Sequence, residues 1–376
     1  MIDGIIDLPA SDLVSPDEAF YPRLPPLNIE LSSRCNLKCP YCANPTLTRA
    51  YENMPDELFY KVVAEAKAMS GQIWSLHGVG EPLLRNDLET LMRHLDASGT
   101  WSKWIVTNGA LLSLKRMHSL YAAGLRGIYN SVDTLDPDLY RRTRGGKIEK
   151  AVGNIIAAAK AYPDLPIMVG LMNHREQVVD DKVRAHFAEI YREVPNVTLH
   201  VYENGHFPGA AEDWRRELYA DIKTETCSAP AAHFTIDARG FVALCCSDQN
   251  TDHVLGNVRD RTLAEIWFDR TNQNTFRRIA LGLSGCPSVC HACVLKPTQR
   301  RLEEVEAVLW GPFAALVAAG EECAEKGDFI EAKRLMDYAL VRDPQNPDVK
   351  RRVGELERMT GLKSDNYFQQ FLDGGL

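Results

Sequence analysis

Residues 27–42 read Leu-Asn-Ile-Glu-Leu-Ser-Ser-Arg-Cys-Asn-Leu-Lys-Cys-Pro-Tyr-Cys. The apolar run at 27–32 predicts a β-strand, and Cys35, Cys39 and Cys42 follow it on one short loop. Three thiolates leave a tetrahedral site one ligand short, and structural zinc loops supply their cysteines in separated pairs. The loop therefore favours an iron–sulfur cubane in which three irons bind cysteine and the fourth has an open position.

The chain around this loop alternates short apolar runs with amphipathic helical stretches between residues 27 and 203. Such alternation predicts an α/β fold with a parallel sheet, in which ligands bind at the carboxyl ends of the strands. Six βα units are too few for a closed eight-stranded barrel, so we expect a partial (β/α)6 TIM-like barrel with the cysteine loop at its mouth. The candidate strands are 27–32, 72–78, 103–107, 127–133, 167–172 and 197–202, and the candidate helices are 56–69, 87–98, 113–123, 147–161 and 177–193.

The sequence predicts four consecutive parts. They are an N-terminal extension (1–26), the barrel (27–210), a cysteine-rich part with a β-hairpin near 234–244 (211–300), and a helical tail (301–376). In the tail, the motif from Gly327 to Pro344 resembles one tetratricopeptide repeat, and a single copy is too few for a solenoid. We expect the tail to pack on the core, cap the site or form a dimer contact.

Composition limits the partners and the compartment. The net charge of −8 argues against a general nucleic-acid binder. No apolar stretch is long enough for a membrane span, and the N-terminus lacks the pattern of a secretion signal, so we expect a cytoplasmic protein without a membrane partner. In a reducing compartment the 10 cysteines favour metal binding or redox chemistry over disulfides.

The cysteine loop resembles the signature of the radical S-adenosylmethionine (SAM) superfamily, Cys-x3-Cys-x-aromatic-Cys. This resemblance implies a [4Fe–4S] cluster on Cys35, Cys39 and Cys42, whose open iron binds the amino and carboxylate groups of SAM, with Tyr41 near the adenine. It also implies an enzyme that cleaves SAM reductively to a 5′-deoxyadenosyl radical, which abstracts hydrogen from the substrate. A flavodoxin- or ferredoxin-type protein would supply the electron.

Further segments resemble the SAM-contacting turns of the same family. The stretch Gly78-Val79-Gly80-Glu81-Pro82 is similar to the glycine-rich turn that hydrogen-bonds the SAM ammonium, with Val79 where the family usually has glycine. Glycine suits such a turn because it lets the backbone approach a ligand closely.

The ends of the third and fourth strands supply the remaining SAM candidates. Asn108, Ser131 and Asp133 resemble the family's polar turns beside SAM, although Asn108 and Asp133 could equally cap strand ends. Arg142 is expected to pair with the SAM carboxylate, and Arg144 is the alternative for that role.

A second cysteine set resembles the SPASM/twitch extension found on some radical SAM enzymes. The resemblance implies one auxiliary [4Fe–4S] cluster with four ligands, Cys227, Cys245, Cys290 and Cys293. Cys286 could replace one of them, and the paired spacing also suits a structural Zn(Cys)4 site. Cys246 is left over, and its thiol could donate a hydrogen atom to a substrate radical as a catalytic residue of an epimerase. In the alternative interpretation, Cys246 is only a small, buried, apolar side chain.

Few residues precede the first strand, where peptide-modifying relatives often carry a leader-binding domain. We therefore expect a small-molecule or sugar substrate, such as an aminocyclitol, aminoglycoside or oligosaccharide of natural-product biosynthesis, that is epimerised or dehydrogenated at a carbon centre. One alternative is a maturase of ribosomally made peptides (RiPPs) whose tail recruits the precursor. The remote alternative is a non-enzymatic scaffold made of a zinc knuckle and helical repeats.

Overall fold

The structure is a computed structural model of the chain, and its secondary structure supports the predicted α/β class. It describes residues 13–15, 19–69, 71–203, 209–212, 214, 223–224, 227, 229–280, 287–292, 296–297, 313–343 and 346–360. The chain forms two compact units. The first comprises Met1–Pro25, Ile222–Phe234 and Asp260–Leu376, and the second comprises Pro26–Asp221 and Thr235–Arg259. The four consecutive domains stay a prediction.

Strands and helices alternate along the second unit. The strands of the chain are β1 (Leu27–Ile29), β2 (Ile73–Ser75), β3 (Trp101–Thr107), β4 (Gly127–Asp133), β5 (Ile167–Asn173), β6 (Val197–Glu203), β7 (Lys223–Thr224), β8 (Phe234–Ile236), β9 (Phe241–Ala243), β10 (Val254–Asn257) and β11 (Lys296–Pro297). The helices are α1 (Asp56–Ala68), α2 (Leu88–Ser98), α3 (Leu114–Ala122), α4 (Pro137–Arg144), α5 (Ile148–Ala161), α6 (Asp181–Ile190), α7 (Ala229–Ala232), α8 (Leu263–Trp267), α9 (Arg270–Ala280), α10 (Ser288–Ala292), α11 (Phe313–Glu325), α12 (Phe329–Arg342) and α13 (Pro347–Thr360).

Within the described residues, nine strands form one sheet in the order β10-β9-β8-β1-β2-β3-β4-β5-β6. The six strands from β1 to β6 are parallel neighbours in chain order, and helices connect them. β8 and β9 pair antiparallel, as do β9 and β10. The predicted α/β class with a parallel sheet is confirmed, and the carboxyl ends of β1 to β6 meet at one edge of that sheet.

The first strand is shorter than the sequence predicts because Leu31 and Ser32 pair with residues outside the sheet. Ser32 forms an isolated antiparallel bridge with Asn53, and the Met54 N–H donates to the carbonyl of Leu31 at 3.0 Å. The Glu30 N–H donates to the carbonyl of Ile236 in β8 at 2.9 Å. Periodicity marks the apolar run, whereas these tertiary partners set where the strand ends.

Helix α4 has clear start and stop signals. The Asp136 side chain accepts from the Leu139 N–H, Pro137 occupies the first turn, and Gly145 ends the helix at a φ of 75°. Residues two apart on a helix point in directions about 200° different. Arg142 and Arg144 therefore face opposite sides of α4.

The first unit has its own aromatic core. Trp267 is 1% exposed and packs against Tyr21, Phe234 and Phe276, with ring centroids 6.1, 5.9 and 4.8 Å away. The tail contributes α11, α12 and α13, and Gly320 of α11 lies directly against the side chain of Met336 in α12. The tetratricopeptide resemblance stays a prediction. Among the described residues, no helix is both long and apolar enough to cross a bilayer.

Candidate functional site at the strand ends

The three-cysteine loop directly follows β1, and its backbone supports the sulfur atoms. The Leu37 N–H donates to Sγ of Cys35 at 3.5 Å, and the Asn44 N–H donates to Sγ of Cys42 at 3.4 Å. The loop closes through the Cys42 N–H, which donates to the carbonyl of Cys39 at 3.1 Å. Backbone N–H groups aimed at sulfur suit thiolates that bind iron, because such hydrogen bonds stabilise negative charge on sulfur.

Burial keeps these thiols protonated when no iron is bound. It raises the pKa of Cys42 to about 12, with the neighbouring Cys39 and Cys35 adding to the effect. Burial also raises the pKa of Cys35 and of Cys39. Cluster binding must therefore displace protons from all three sulfurs, as thiolate ligation generally does.

The arrangement does not suit a mononuclear metal ion. Among the described residues, no three His, Cys, Asp or Glu side chains converge as a single ion requires, and the described cysteines form no disulfide. A cubane needs a different arrangement, since each thiolate binds its own iron. The chemistry of the donor set therefore fits an iron–sulfur cluster at this loop.

The glycine-rich turn lies so close to the β1 segment that side chains are excluded. A Cβ on Gly80 would lie 1.9 Å from the carbonyl oxygen of Ser32, and one on Gly78 would lie 2.4 Å from Cβ of Glu30. This close approach of the backbone explains why both predicted positions are glycine. Pro82 begins a short 3-10 helix directly after the turn.

Glu81 ties the glycine turn to the end of β3. Its Oε1 accepts from the Leu83 N–H at 3.1 Å and from the Thr107 hydroxyl at 2.7 Å, and its Oε2 accepts from the Asn108 N–H at 2.8 Å. Burial raises the pKa of Glu81, and these hydrogen bonds oppose that rise. The Asn108 side chain donates to Oδ1 of Asn36 on the cysteine loop at 2.9 Å, so the predicted polar turn reaches that loop.

Asp133 is the centre of a buried network at the end of β4. Its Oδ1 accepts from the Tyr202 hydroxyl at 2.5 Å, and its Oδ2 accepts from the Tyr41 hydroxyl and from Nη1 of Arg144, the latter at 2.9 Å. The residue is fully buried and has a φ of 72°, a left-handed conformation that is uncommon outside glycine. Residues in such conformations cluster at functional sites.

The structure separates the two candidate arginines. Arg144 is buried, and its Nη2 donates to the carbonyl of Ser131 at 2.6 Å, whereas its Nε has no hydrogen-bond partner among the described residues. Arg142 has a side chain that is 55% exposed and pairs with Glu176 at 2.6 Å. A buried guanidinium with an unpaired N–H fits an anionic ligand, since leaving such a donor unsatisfied is costly. These surroundings favour Arg144 over the predicted Arg142 as the candidate for the SAM carboxylate, and the assignment stays a prediction.

Two aromatic residues that sequence reasoning missed support this edge of the sheet. Tyr202, at the end of β6, completes the Asp133 network, and Trp214 packs with Leu37 and Cys39 in one apolar cluster. Trp214 also donates through Nε1 to a Glu212 carboxylate oxygen at 3.1 Å. The sequence marks Tyr202 only as the last aromatic of a strand, and Trp214 belongs to no motif.

The ion pair of Glu30 and Arg49 was also missed. The Glu30 carboxylate accepts four hydrogen bonds, from Nη1 and Nη2 of Arg49 and from the N–H groups of Val79 and Ala238, at 2.8–3.2 Å. Both side chains of the pair are 3% exposed. The sequence did carry a signal for this pair: Glu30 is a charged residue inside the apolar run 27–32, and buried charged residues need partners.

The auxiliary cysteines are only partly described. Cys227 and Cys290 belong to the first unit and Cys245 to the second, while Cys293 and its rival Cys286 fall outside the described residues. The auxiliary ligand set therefore stays a prediction. Cys246 lies on the wall of a cavity of about 40 Å³ that Glu30, Arg49 and Gly78 also line.

Comparison with known proteins gives the family. Residues 29–228 match the radical SAM superfamily, and residues 227–294 match an iron–sulfur cluster-binding domain of the SPASM type. The chain belongs to the radical SAM superfamily. It is a radical SAM enzyme with a SPASM-type domain, and its cofactors are SAM and [4Fe–4S] clusters, one that binds SAM and one auxiliary. The alternative of a non-enzymatic scaffold is wrong.

Among sequence relatives, the PqqA peptide cyclase of Xanthomonas campestris is 27% identical over 303 residues, which cover 72% of this chain and 79% of that protein. Among solved structures, Streptococcus suis SuiB bound to precursor peptide SuiA has a TM-score of 0.53 at 15% identity, covering 78% of this chain and 73% of that chain. BtrN in complex with AdoMet and 2-DOIA has a TM-score of 0.51 at 18% identity, and the match covers 74% of this chain and 95% of the BtrN chain. The parallel sheet thus matches a radical SAM partial barrel.

The expected carbohydrate-type substrate is wrong. At 15–18% identity the solved structures show the fold alone. Sequence relatives that span most of this chain are named PqqA peptide cyclases, and one of them is the enzyme of Rhizobium meliloti, 26% identical over 314 residues, 73% of this chain and 80% of that protein. The prediction failed because the number of residues before the first strand does not identify a substrate. Epimerisation and dehydrogenation of a sugar carbon have no support among these relatives.

Proposed function

We propose that this protein is a radical SAM peptide maturase that forms a bond within a precursor peptide. The observation that carries the proposal is the match of 72% of the chain to PqqA peptide cyclases. SuiB, a solved structure of the same fold, was obtained with a precursor peptide bound. The RiPP-maturase alternative therefore replaces the carbohydrate substrate.

The face of the sheet that carries Asp133 also offers aromatic side chains for a peptide. Contacts place Tyr129 of β4 on this face: its hydroxyl lies 3.0 Å from Nδ1 of His200 on β6, and the His200 ring stacks on Tyr202, whose hydroxyl donates to Asp133. Gly170 on β5 makes room for the Tyr129 side chain, because a Cβ at position 170 would lie 2.3 Å from the Tyr129 hydroxyl oxygen. Aromatic residues with polar tips can pack a peptide side chain and orient it by hydrogen bonds.

Forming a ring or cross-link removes two hydrogens from the peptide. When bound, SAM and its cluster would supply the radical that takes the first hydrogen as an atom, while the second hydrogen would leave as a proton and its electron would pass to the clusters. The chain's own residues would hold the reactants in place. Arg144, which binds Asp133, would pair with the SAM carboxylate, Glu81 fixes the glycine turn, and the buried Asp133 network would exclude water from the sheet edge.

We also propose roles for the remaining cofactor contacts, the electron donor and the helical tail. Tyr41, Ser131 and Asn108 line the SAM site, and four cysteines bind the auxiliary cluster, namely Cys227, Cys245, Cys290 and Cys293. A flavodoxin- or ferredoxin-type protein supplies electrons. The helical tail is the candidate for recruiting the precursor or for forming a dimer.

Co-expression tests the proposal. The gene is expressed with each short open reading frame of its neighbourhood, and the peptide products are analysed by mass spectrometry for the loss of two hydrogen atoms. We expect one encoded peptide to be modified, and we expect the Cys42→Ala variant to leave the same peptide unmodified. A panel of aminocyclitols serves as the comparison set with purified enzyme. Turnover of an aminocyclitol with no change in any neighbouring peptide would refute the peptide proposal.

A further inference from the structure

The side chain of Gln249 reaches the three-cysteine loop from a distant part of the sequence. Its Oε1 accepts from the Ala43 N–H at 3.2 Å and from the Cys42 thiol at 3.8 Å. Gln249 lies in the stretch that matches the SPASM-type domain, whereas Cys42 belongs to the radical SAM match. A residue of the second matched domain thus contacts a cysteine of the first cluster site.

The backbone of Gln249 is held in place by a buried residue. Nε of Arg49 donates to the Gln249 carbonyl at 2.9 Å, while both terminal nitrogens of Arg49 bind the Glu30 carboxylate. The next residue, Asn250, accepts from the Thr48 N–H through Oδ1 at 3.1 Å. Because these contacts fix the main chain, the Gln249 carboxamide is presented to Cys42 by a rigid support.

We propose that Gln249 is a positioning residue of the SAM-binding cluster and raises the reduction potential of that cluster through Cys42. A cysteine that binds iron carries no proton, so its sulfur accepts hydrogen bonds and cannot donate one. In the structure Oε1 faces the loop, and the same carboxamide carries two N–H donors, so a rotation that gives up the contact with the Ala43 N–H offers one of them to the thiolate sulfur. Hydrogen bonds to cluster sulfurs favour the reduced, more negative state.

This role of Gln249 depends on the cluster at the cysteine loop and does not depend on the choice of a peptide substrate. The Gln249→Glu variant keeps the size of the side chain, removes the donors and adds a negative charge. Gln72→Glu is the matched control, because Gln72 is exposed and the same charge is added away from the cluster loop. The Gln249→Met variant removes the donors without adding charge.

An EPR-monitored redox titration of the anaerobically reconstituted protein gives the potential, and the SAM-binding cluster is identified by the signal that changes when SAM is added. For Gln249→Glu we expect the equilibrium constant for one-electron reduction of the cluster to fall about tenfold, which lowers the reduction potential by about 59 mV. Gln249→Met should shift in the same direction by less, and Gln72→Glu should match the unmodified protein.

Equal potentials for Gln249→Glu and Gln72→Glu at full iron content would overturn the proposal. If Gln249→Glu folds but retains no iron, Gln249→Met decides: a lowered potential supports the role and an unchanged one refutes it. Iron loss from both folded Gln249 variants would also overturn the proposal, in favour of a purely structural role for this side chain. A negative peptide experiment leaves each of these outcomes unaffected.

Discussion

The guanidinium of Arg144 lies 2.9 Å from the Asp133 carboxylate, and both side chains are buried where β4 and α4 end. The pair places a positive charge beside the cysteine loop, where Tyr41 joins the same network, and Nε of Arg144 has no hydrogen-bond partner in the part of the chain that the structure describes. A buried ion pair of this kind is weak evidence for stability, so its value lies in the ligand it can position.

The first prediction concerns SAM affinity. Arg144→Met removes a charge-assisted hydrogen bond worth about 1.5–3 kcal/mol, so the Kd for SAM should rise about 10- to 150-fold. Arg142→Met is the matched control, because its exposed pair with Glu176 contributes at most about 1 kcal/mol to stability and nothing to SAM binding. Anaerobic calorimetry of the reconstituted protein gives both values.

Arg144→Met also leaves Asp133 buried without its cationic partner, so the double variant Asp133→Asn/Arg144→Met is measured beside it. We expect the double variant to fold and still to bind SAM weakly. Loss of SAM binding in Arg142→Met, with binding retained in the Arg144 variants, would reverse the assignment.

The second prediction concerns stability. Arg49→Met leaves the Glu30 carboxylate buried and unpaired, and breaking such a pair costs about 3–5 kcal/mol. Lys160→Met breaks the exposed pair with Glu193 and should change the free energy of unfolding by no more than about 1 kcal/mol. Urea denaturation of the metal-free protein measures both. Similar midpoints for the two variants would show that the Glu30–Arg49 pair does not support the fold.

The third prediction concerns the glycine turn. In Gly80→Ala the new Cβ would meet the Ser32 carbonyl, so the turn must shift, at a cost of about 1–3 kcal/mol and with weaker SAM binding. Gly153→Ala is the opposite case, because Gly153 lies inside α5 and nothing lies within 4 Å of the position that an alanine Cβ would take. Alanine should stabilise that helix by about 0.5–1 kcal/mol. Thermal unfolding and SAM titration compare the two variants. Unimpaired SAM binding in Gly80→Ala would contradict the close approach.

The parallel sheet could be predicted well because apolar runs alternate with helical stretches along the chain. The predicted fourth strand, 127–133, coincides with β4, and the predicted fifth and sixth strands each end one residue short of β5 and β6. β1 and β2 were predicted too long, since contacts such as the Ser32–Asn53 bridge end the first strand. Such tertiary partners leave no periodic signal.

The choice between Arg142 and Arg144 shows where sequence reasoning stops. α4 was not predicted as a helix, although Asp136-Pro137 and Gly145 were available as its start and stop signals. With the helix in place, the buried Tyr140 and Arg144 lie four residues apart on one face, and Arg142 lies on the other. Gln249 could not be found from sequence, because its contact with Cys42 joins residues 207 positions apart.

The central claim is that the three-cysteine loop holds a cluster that cleaves SAM. Iron content and 5′-deoxyadenosine are measured after anaerobic reconstitution, with SAM and dithionite, for the unmodified protein and for Cys42→Ala. We predict about eight irons per chain and reductant-dependent 5′-deoxyadenosine, with about four irons and no 5′-deoxyadenosine in the variant. Bound zinc without SAM cleavage, or equal 5′-deoxyadenosine from both proteins, would contradict the account.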